Sequence, residues 1–527
     1  MKKAVSVFMI LAMCVSCLTG CKGEKQQDPE LTKSGDGTVL TISFLEAGYG
    51  RDYMEEWAKQ FTEKKKAEGV DIEIVLKGEP TYGLIAATLP GGPKVNDIDI
   101  YFAGLVNEKD IVATGDKYIS GYDVALEDLS DIYQMASDVE GKTIGDKMLT
   151  QYVDYFTLAD GKQYAMPWAS DPCGIVVNTK VLDEALGAGQ WVLPRTTAEL
   201  GKMASDVTKS GKAKGIIYAG QVGYWDYALS AWWAQYEGVE EYNKFFTGQA
   251  YDEEFGKDVY TYEIFNQKGI LKSLTVLEQL IGSAENLVEG CNSTYFTTLQ
   301  TNFLQGAAAF MPNGGWFENE MRDFDSIETV MMKMPVISEI IEKTPSISND
   351  SMLAEVVDFV DGKKSEAPAG VTKEDIQIVK NARNIIWDAG FDFGAVIPAY
   401  ADARNLAKEF LAYTTTDEAI EIFYKNTGSF LPYEYDYNGG GMYDAATAFG
   451  KSKIDLMNAE ITKITQNKTN PLFAKNSLTP FLGDKPELIL GAVNPKDKKT
   501  AEQFFTDNYM EAKKEWNNYM TVAGLSY

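Results

Sequence analysis

The stretch FLQGAAAFMPNGGWF, residues 303–317, decides how the chain is read. A helix closes at Gly306, a short apolar strand covers 307–311, and the turn Pro312-Asn313-Gly314-Gly315 delivers the indole of Trp316. Three alanines let the strand sit under close-packed helices, and two consecutive glycines allow a sharp turn or a close approach to a ligand. An indole just past such a turn stands at a strand edge with one face free. The same residues also read as a core tryptophan beside an ordinary glycine turn. The elements on either side bear on the choice.

On the N-terminal side, 39–45 (VLTISFL) reads as a strand whose carboxyl end leaves through the loop 46–50 (EAGYG). A helix follows with Tyr53, Met54, Trp57 and Phe61 on one face. A second strand at 70–76, a helical stretch at 84–89 and a third strand at 98–102 complete a β-α-β-α-β order. That order predicts right-handed crossovers and a parallel sheet covered on both faces, with ligands meeting loops at the carboxyl ends of strands. Glu46 and Tyr49 occupy such a loop, and they read equally as a solvated charge and a packed tyrosine.

Further along, 160–168 (DGKQYAMPW) is a turn and a strand broken at Pro167, and 173–178 (CGIVVN) is a strand followed by a helix from Thr179. Thr196, three residues before Glu199, marks a helix start. After a strand at 215–219, Tyr224-Trp225-Asp226 opens an aromatic helix reaching Trp232, Trp233 and Tyr236. Trp225 sits where a cleft would open, while at least one of the mid-helix pair Trp232 and Trp233 belongs in a core.

Composition narrows the chemistry. A chain of 527 residues with 45% hydrophobic and 24% charged residues can bury a sizeable core in two large units or several smaller ones. A net charge of −28 repels phosphate backbones, so nucleic acid is not an expected partner. The chain contains no histidine, which removes histidine-based triads, His-ligated zinc or haem, and imidazole acid–base chemistry. Catalysis by paired carboxylates stays open. No cofactor or metal is expected; the glycine-rich run after Asp436 lacks the closing glutamate of a calcium loop. Of the five cysteines, Cys173 and Cys291 could pair in an oxidising compartment, and two buried free thiols are the favoured expectation.

Lys2 and Lys3 precede an apolar run too short to span a bilayer, and Leu18-Thr19-Gly20-Cys21 follows. This resembles the bacterial lipobox, which implies a signal peptide at 1–20, lipidation of Cys21 and a polar tether over 21–37. The expected location is the outer face of the bacterial cytoplasmic membrane, lipid-anchored and extracellular.

The series of pieces resembles the family 1 extracellular solute-binding proteins, the maltose-binding-protein-like receptors of ABC importers. The matching pieces are the lipobox, DGKQYAMPWASDPCGIVVNTKVL, PRTTAEL, FLQGAAAFMPNGGW, MKMPVI around Pro335, FGAVIPAYADARNLAKEFLAYTTTDEAIE and YKNTGSFLP. The resemblance implies an α/β, two-lobed periplasmic-binding-protein-like fold with a ligand cleft between the lobes. Chain crossings would fall near Pro167-Trp168, Gly314-Gly315 and 396–398. Lobe one would then be 38–167 plus 315–396, and lobe two 168–314 plus 397–527. An insertion at 346–390, with a helical run from Lys373 to Trp387, and a tail beyond Asn438 depart from the family pattern. The tail helices are expected to pack on lobe two.

The function this implies is capture of a carbohydrate, in particular an oligosaccharide, by hinge closure, and delivery by a monomeric lipoprotein to ABC permease subunits. Sugars ask for flat aromatic platforms and planar acceptors for their hydroxyls. Trp316, Trp168 and Trp225, with Tyr49 and Tyr224, are the candidate platforms, and Glu46 and Asp171 the candidate acceptors. Trp316 leads, because in the resembling family an aromatic after the Asn-Gly turn stacks on the sugar. An amino-acid ligand would call for a guanidinium, and Arg51 and Arg195 do not visibly converge. Two rivals remain: a surface-anchored glycoside hydrolase and a non-transporting sugar sensor.

Overall fold

The computed structural model describes residues 35–78, 82–104, 111–112, 119, 124–324, 328–468, 470–491 and 496–525. The signal peptide, Cys21 and all but the end of the tether lie outside the described residues. Within them, no helix is long and apolar enough to cross a membrane.

β1 (Val39–Phe44), β2 (Glu73–Gly78) and β3 (Ile100–Gly104) form the parallel core of a first sheet, β1 lying between the other two. Leu40, Ile42 and Phe44 are fully buried, and Thr41 and Ser43 on the opposite face are nearly so, which is the pattern of a strand covered on both sides. The Asp52–Ala67 helix lays Tyr53, Met54, Trp57 and Phe61 into the core. β4 (Met166–Pro167) closes this part of the chain.

The chain then enters a second sheet through β5 (Pro172–Asn178), whose residues are all buried. β6 (Lys214–Ile216) follows, and β7 (Gln249–Asp252) and β8 (Lys257–Tyr260) form a separate hairpin. β9 (Ala308–Gly314) pairs antiparallel with β5 and parallel with β6. β10 (Thr329–Met332) and β11 (Ile385–Asp388) share the other flank of β5. β12 (Phe393–Val396) returns to the first sheet between β3 and β4, and β13 (Thr462–Ile464) adds to β11 in the second. The molecule is therefore a two-lobed α/β fold with one sheet and one core per lobe.

β9 corrects the reading of 303–317. The strand does not stop at Met311 but continues through Pro312 and Asn313 to Gly314, because β5 keeps pairing with it as far as Cys173 opposite Gly314. β6 ends opposite Phe310, so at Pro312 this flank is already an edge, where a proline is tolerated.

The lobe boundaries also differ from the expectation. Apolar residues of 316–389 pack in the second core, not the first, and those of 391–442 pack in the first. Gly314-Gly315 is accordingly no crossing. The chain passes between cores at 169–173, at 389–391 and again after Met442, where the Ala448–Asn458 helix lies across both, with Phe449 and Leu456 in the second core and Ile454 in the first. The insertion places the Asp350–Val360 and Lys373–Arg383 helices on lobe two, and its last residues form β11 instead of prolonging the helix. The Ala448–Asn458 and Ala501–Ala523 helices of the tail contribute Phe449, Leu456, Phe504 and Trp516 to the second core.

Two lysines from the tail fasten the crossings. Lys463 lies 2.6 Å from Asp388 and donates to Ser170 Oγ at 2.6 Å, while Ser170 Oγ itself donates to Asp388 at 2.8 Å. Lys453, fully buried, donates to the carbonyls of Gly315 at 2.8 Å and Gly428 at 2.5 Å and stands 3.9 Å from Asp171 Oδ1. Burial pushes the Lys453 ammonium down and the Asp171 carboxyl up to about 6. Cys173 and Cys291 are free and buried.

Candidate functional site

The site grows from the end of β9. Gly314 and Gly315 are both required by contact: a Cβ on Gly314 would meet the six-membered ring of Trp316 at 2.4–2.5 Å, and one on Gly315 would meet Asp171 Oδ1 at 2.5 Å. The first glycine lets the indole fold back over the strand end, and the second lets the hinge carboxylate close against the backbone. On its other side Trp316 touches Gly48, whose place for a Cβ is 3.3 Å from the indole. Asn319 donates to the Gly48 carbonyl at 2.9 Å. The β1 loop of lobe one thus meets the end of β9 from lobe two across Trp316.

The first turn of the Trp225–Glu237 helix supplies the neighbouring rings. Tyr224 and Tyr227 both stand edge-on to Trp316, at 6.2 and 6.3 Å, and Tyr227 leans on Trp387 of β11 at 5.7 Å. These separations are those of favourable aromatic pairs. Four rings from three elements therefore meet where the lobes join.

Polar groups accompany these rings. Tyr224, Asp226, Tyr227, Glu320 and Asp392 all retain some solvent access. Yet desolvation is the main influence on each, pushing the carboxyls of Asp226 and Asp392 up to about 6 and raising Glu320 and both tyrosines above their usual ranges. Lys468 opposes the rise at both Asp226 and Asp392, which places one ammonium near two carboxylates. A separate cavity of about 500 Å³ lies at the hinge between Glu318–Arg322 and Tyr424–Gly428, and none of the four rings lines it.

Residues 56–451 match the family model described as bacterial extracellular solute-binding protein. The chain belongs to that family. As an extracellular solute-binding protein it shares 23% identity over 360 residues with the diacetylchitobiose binding protein NgcE of Streptomyces coelicolor, covering 67% of this chain and 68% of that one. Among solved structures, its fold resembles the ABC substrate-binding protein Lmo0181 of Listeria monocytogenes in complex with cycloalternan, with a TM-score of 0.57 at 14% identity over 93% of this chain and 100% of that one. It also resembles maltose-bound MalE3 of T. maritima, with a TM-score of 0.56 at 15% identity over 90% and 99%.

Within this solute-binding fold the residues singled out from sequence separate. Trp316 and Tyr224 lie together at the junction of the lobes. Glu46 is near it on the β1 loop, partly exposed and 2.7 Å from Arg51. Trp168 is a core residue: it is 2% exposed, ringed by Tyr49, Tyr53, Phe102, Phe393 and Phe423, and its Nε1 donates to Ala103 O at 3.1 Å. Trp225 is likewise buried, against Tyr218 and Trp232. Tyr49 and Asp171 are buried too, and they bond to each other, the hydroxyl donating to Oδ2 at 3.0 Å, so they join lobe one to the hinge and offer no face to a ligand.

Tyr227, Trp387, Asp226, Asp392 and Lys468 were not among the residues singled out. Tyr227 follows Tyr224 by three positions on one helix face, a spacing the sequence does display. The others come from segments far apart in the chain, and Trp387 was assigned to a helix that has ended by Arg383.

Proposed function

We propose that this solute-binding protein captures a carbohydrate, oligosaccharides included, in the recess between its lobes. It closes about the ligand and delivers it to the permease of an ABC importer, held outside the membrane by a lipid on Cys21. The observation that carries the reading is the cluster Tyr224, Tyr227, Trp316 and Trp387 beside enclosed carboxylates at the meeting of two separately cored lobes. Flat rings suit the C–H faces of a sugar, and carboxylates accept from its hydroxyls. The ligands carried in the names of the similar protein and structures, diacetylchitobiose, cycloalternan and maltose, support the same class. Three crossings tied by buried lysines form the hinge, and swinging it from 1:99 open to 99:1 closed needs a ligand preference of about 5.5 kcal/mol.

A thermal-shift screen over an oligosaccharide panel tests this, since a ligand that binds only the folded state raises Tm. At least one oligosaccharide is expected to raise it, and small-angle scattering is expected to give a smaller radius of gyration at saturation. A panel without a hit, or a hit without contraction, would count against capture by closure. One observation favours a second reading: two carboxyls near 6 in one recess are also what a glycoside hydrolase carries. Incubating the protein with the same panel separates the two, and recovery of intact sugars is the outcome expected here.

A further inference from the structure

The loop that delivers Tyr224 is held from behind by the C-terminal extension. Residues 220–223 are a run of turns between β6 and the Trp225–Glu237 helix, and they lie against the segment around the short helix Pro486–Leu490. Lys485 donates to the Gln221 carbonyl and, at 3.5 Å, to that of Gly220. Gly220 has no room for a Cβ, which would stand 3.0 Å from Leu488 and 2.9 Å from Asn292 Oδ1. Asn292 accepts from the Tyr218 hydroxyl at 2.9 Å and donates to the Gly491 carbonyl at 3.2 Å, so the residues leading into the loop are tied to the same segment.

Glu487 is the odd group in this contact. It is fully buried, and neither carboxyl oxygen has a hydrogen-bond partner. Gly223, with φ at +77°, turns the chain beside it: a Cβ there would stand 3.8 Å from Glu487 Oε1 and 3.9 Å from Lys485 Nζ. Carboxyl and ammonium flank one glycine, yet among the described residues they form no ion pair with each other. Burial first, and then the charge of Asp226 on the adjoining helix, push the carboxyl up to about 8, while its own backbone N–H and Lys485 oppose the rise. Tyr218 feels the same carboxyl from the end of β6, and among the described residues no charged group of the helices packed behind, Lys268–Ile281 and Ala501–Ala523, acts on it. A side chain kept for packing alone would be apolar here, because a hidden carboxyl without partners costs stability. Desolvated groups of this kind gather at sites of function.

We propose that Lys485 and Glu487 are positioning residues for sugar binding, through which the C-terminal extension sets the loop 220–223 and with it the place of Tyr224 beside Trp316. This rests on the carbohydrate reading above and deepens it by naming what holds one wall of the ring cluster. Tyr224 follows the flanked Gly223 directly and stands edge-on to Trp316 at 6.2 Å, so a shift of the loop moves the ring against the indole. The arrangement belongs to the neutral carboxyl. Ionised, Glu487 is a buried charge whose nearest cation is Lys485, already engaged with the carbonyls of Gly220 and Gln221, and meeting the carboxylate draws the ammonium off the loop.

The test uses the full chain, with maltotriose, cellotriose, raffinose and di-N-acetylchitobiose as probes in titration calorimetry at pH 7 and 9. For a probe that binds the wild type at pH 7, affinity is expected to fall about tenfold by pH 9, because the competent fraction is the neutral one and the carboxyl titrates near 8. Glu487→Gln, neutral at either pH, is expected to keep the pH 7 affinity and Tm and to flatten the profile. Lys485→Met is expected to weaken binding about threefold at pH 7, the scale of one more side chain left to be ordered on binding. Without ligand, the wild type is expected to lose Tm relative to Glu487→Gln as pH rises from 5 to 8, since the folded carboxyl keeps its proton through a range where the unfolded one has lost it. Affinity unchanged from pH 7 to 9 in the wild type, or the same fall in Glu487→Gln, would overturn the positioning role and leave the carbohydrate reading standing. Loss of Tm at pH 7 in step with loss of affinity would make both residues structural and also overturn it. A wild type that binds none of the probes, nor any sugar on a glycan array, would bring down both readings.

Discussion

Trp168 and Trp316 enter the structure from similar stretches of chain and end in different places. Each follows a short strand that ends at a proline or glycine near the junction of the lobes. Trp168 is swallowed by lobe one: five aromatic rings surround it and its nitrogen is satisfied by Ala103. Trp316 is 9% exposed and stands against the edges of two tyrosines, a glycine of the opposite lobe and the glycine behind it. The difference teaches that a strand end delivers an indole to the seam, but the side chains waiting there decide whether it becomes packing or platform.

The largest effect that could break this contrast is Trp168→Ala. It is expected to cost about 3–5 kcal/mol, read as a lower denaturant midpoint, because a fully packed indole leaves a large cavity. A loss below about 1 kcal/mol would return Trp168 to the cleft. Lys453→Met follows closely: it strips Asp171 of its nearest cation and the Gly315 and Gly428 carbonyls of a donor, with an expected cost of about 3 kcal/mol in the same experiment. If stability holds, the tail lysine is not what ties the crossings.

Trp316→Ala should reverse the order of effects. Sugar affinity is expected to fall roughly 30-fold, about 2 kcal/mol, by calorimetry, with less loss of stability than Trp168→Ala. Equal destabilisation by the two substitutions would erase the contrast. Gly314→Ala sharpens it, since the added Cβ would overlap the indole at 2.4–2.5 Å and displace the ring without removing it. Weaker sugar binding, a shifted tryptophan emission and about 1–3 kcal/mol of destabilisation are expected.

The smallest effect is that of pH. A sugar hydroxyl donating to ionised Asp226 and Asp392 favours their charged forms and so lowers their pKa in the complex. Binding then releases protons and weakens as pH falls through about 6, several-fold between pH 7 and 5. For the ligand-free chain the sign is opposite. Carboxyls raised above their unfolded values bind protons more readily when folded, so these two add stability as pH falls from 7 toward 4. A titration in which affinity is flat from pH 7 to 5 would detach both groups from the ligand.

Local pattern carried much of the architecture. The alternation of strand and helix from Val39 to Gly104 produces the expected parallel sheet, and Thr196 caps its helix by accepting from Glu199 N. Pattern failed where a choice depended on a distant partner. Pro312 looked like a strand terminator, yet β5 holds β9 in register beyond it. Trp387 looked like the end of a helix, yet the vacant flank of β5 draws Ile385–Asp388 into a strand.

By itself the sequence determined that this is an extracellular solute-binding chain without histidine chemistry, that it alternates strands and helices, and that an aromatic follows a paired glycine at 314–315. Those properties rest on residue type and short spacing, which travel with the chain wherever it folds. Only the tertiary structure decided that residues 316–389 belong with lobe two, that Trp168 is core, and that Tyr224, Tyr227, Trp316 and Trp387 meet. Burial and proximity are properties of the packed whole, because desolvation of any one group is set by side chains hundreds of positions away.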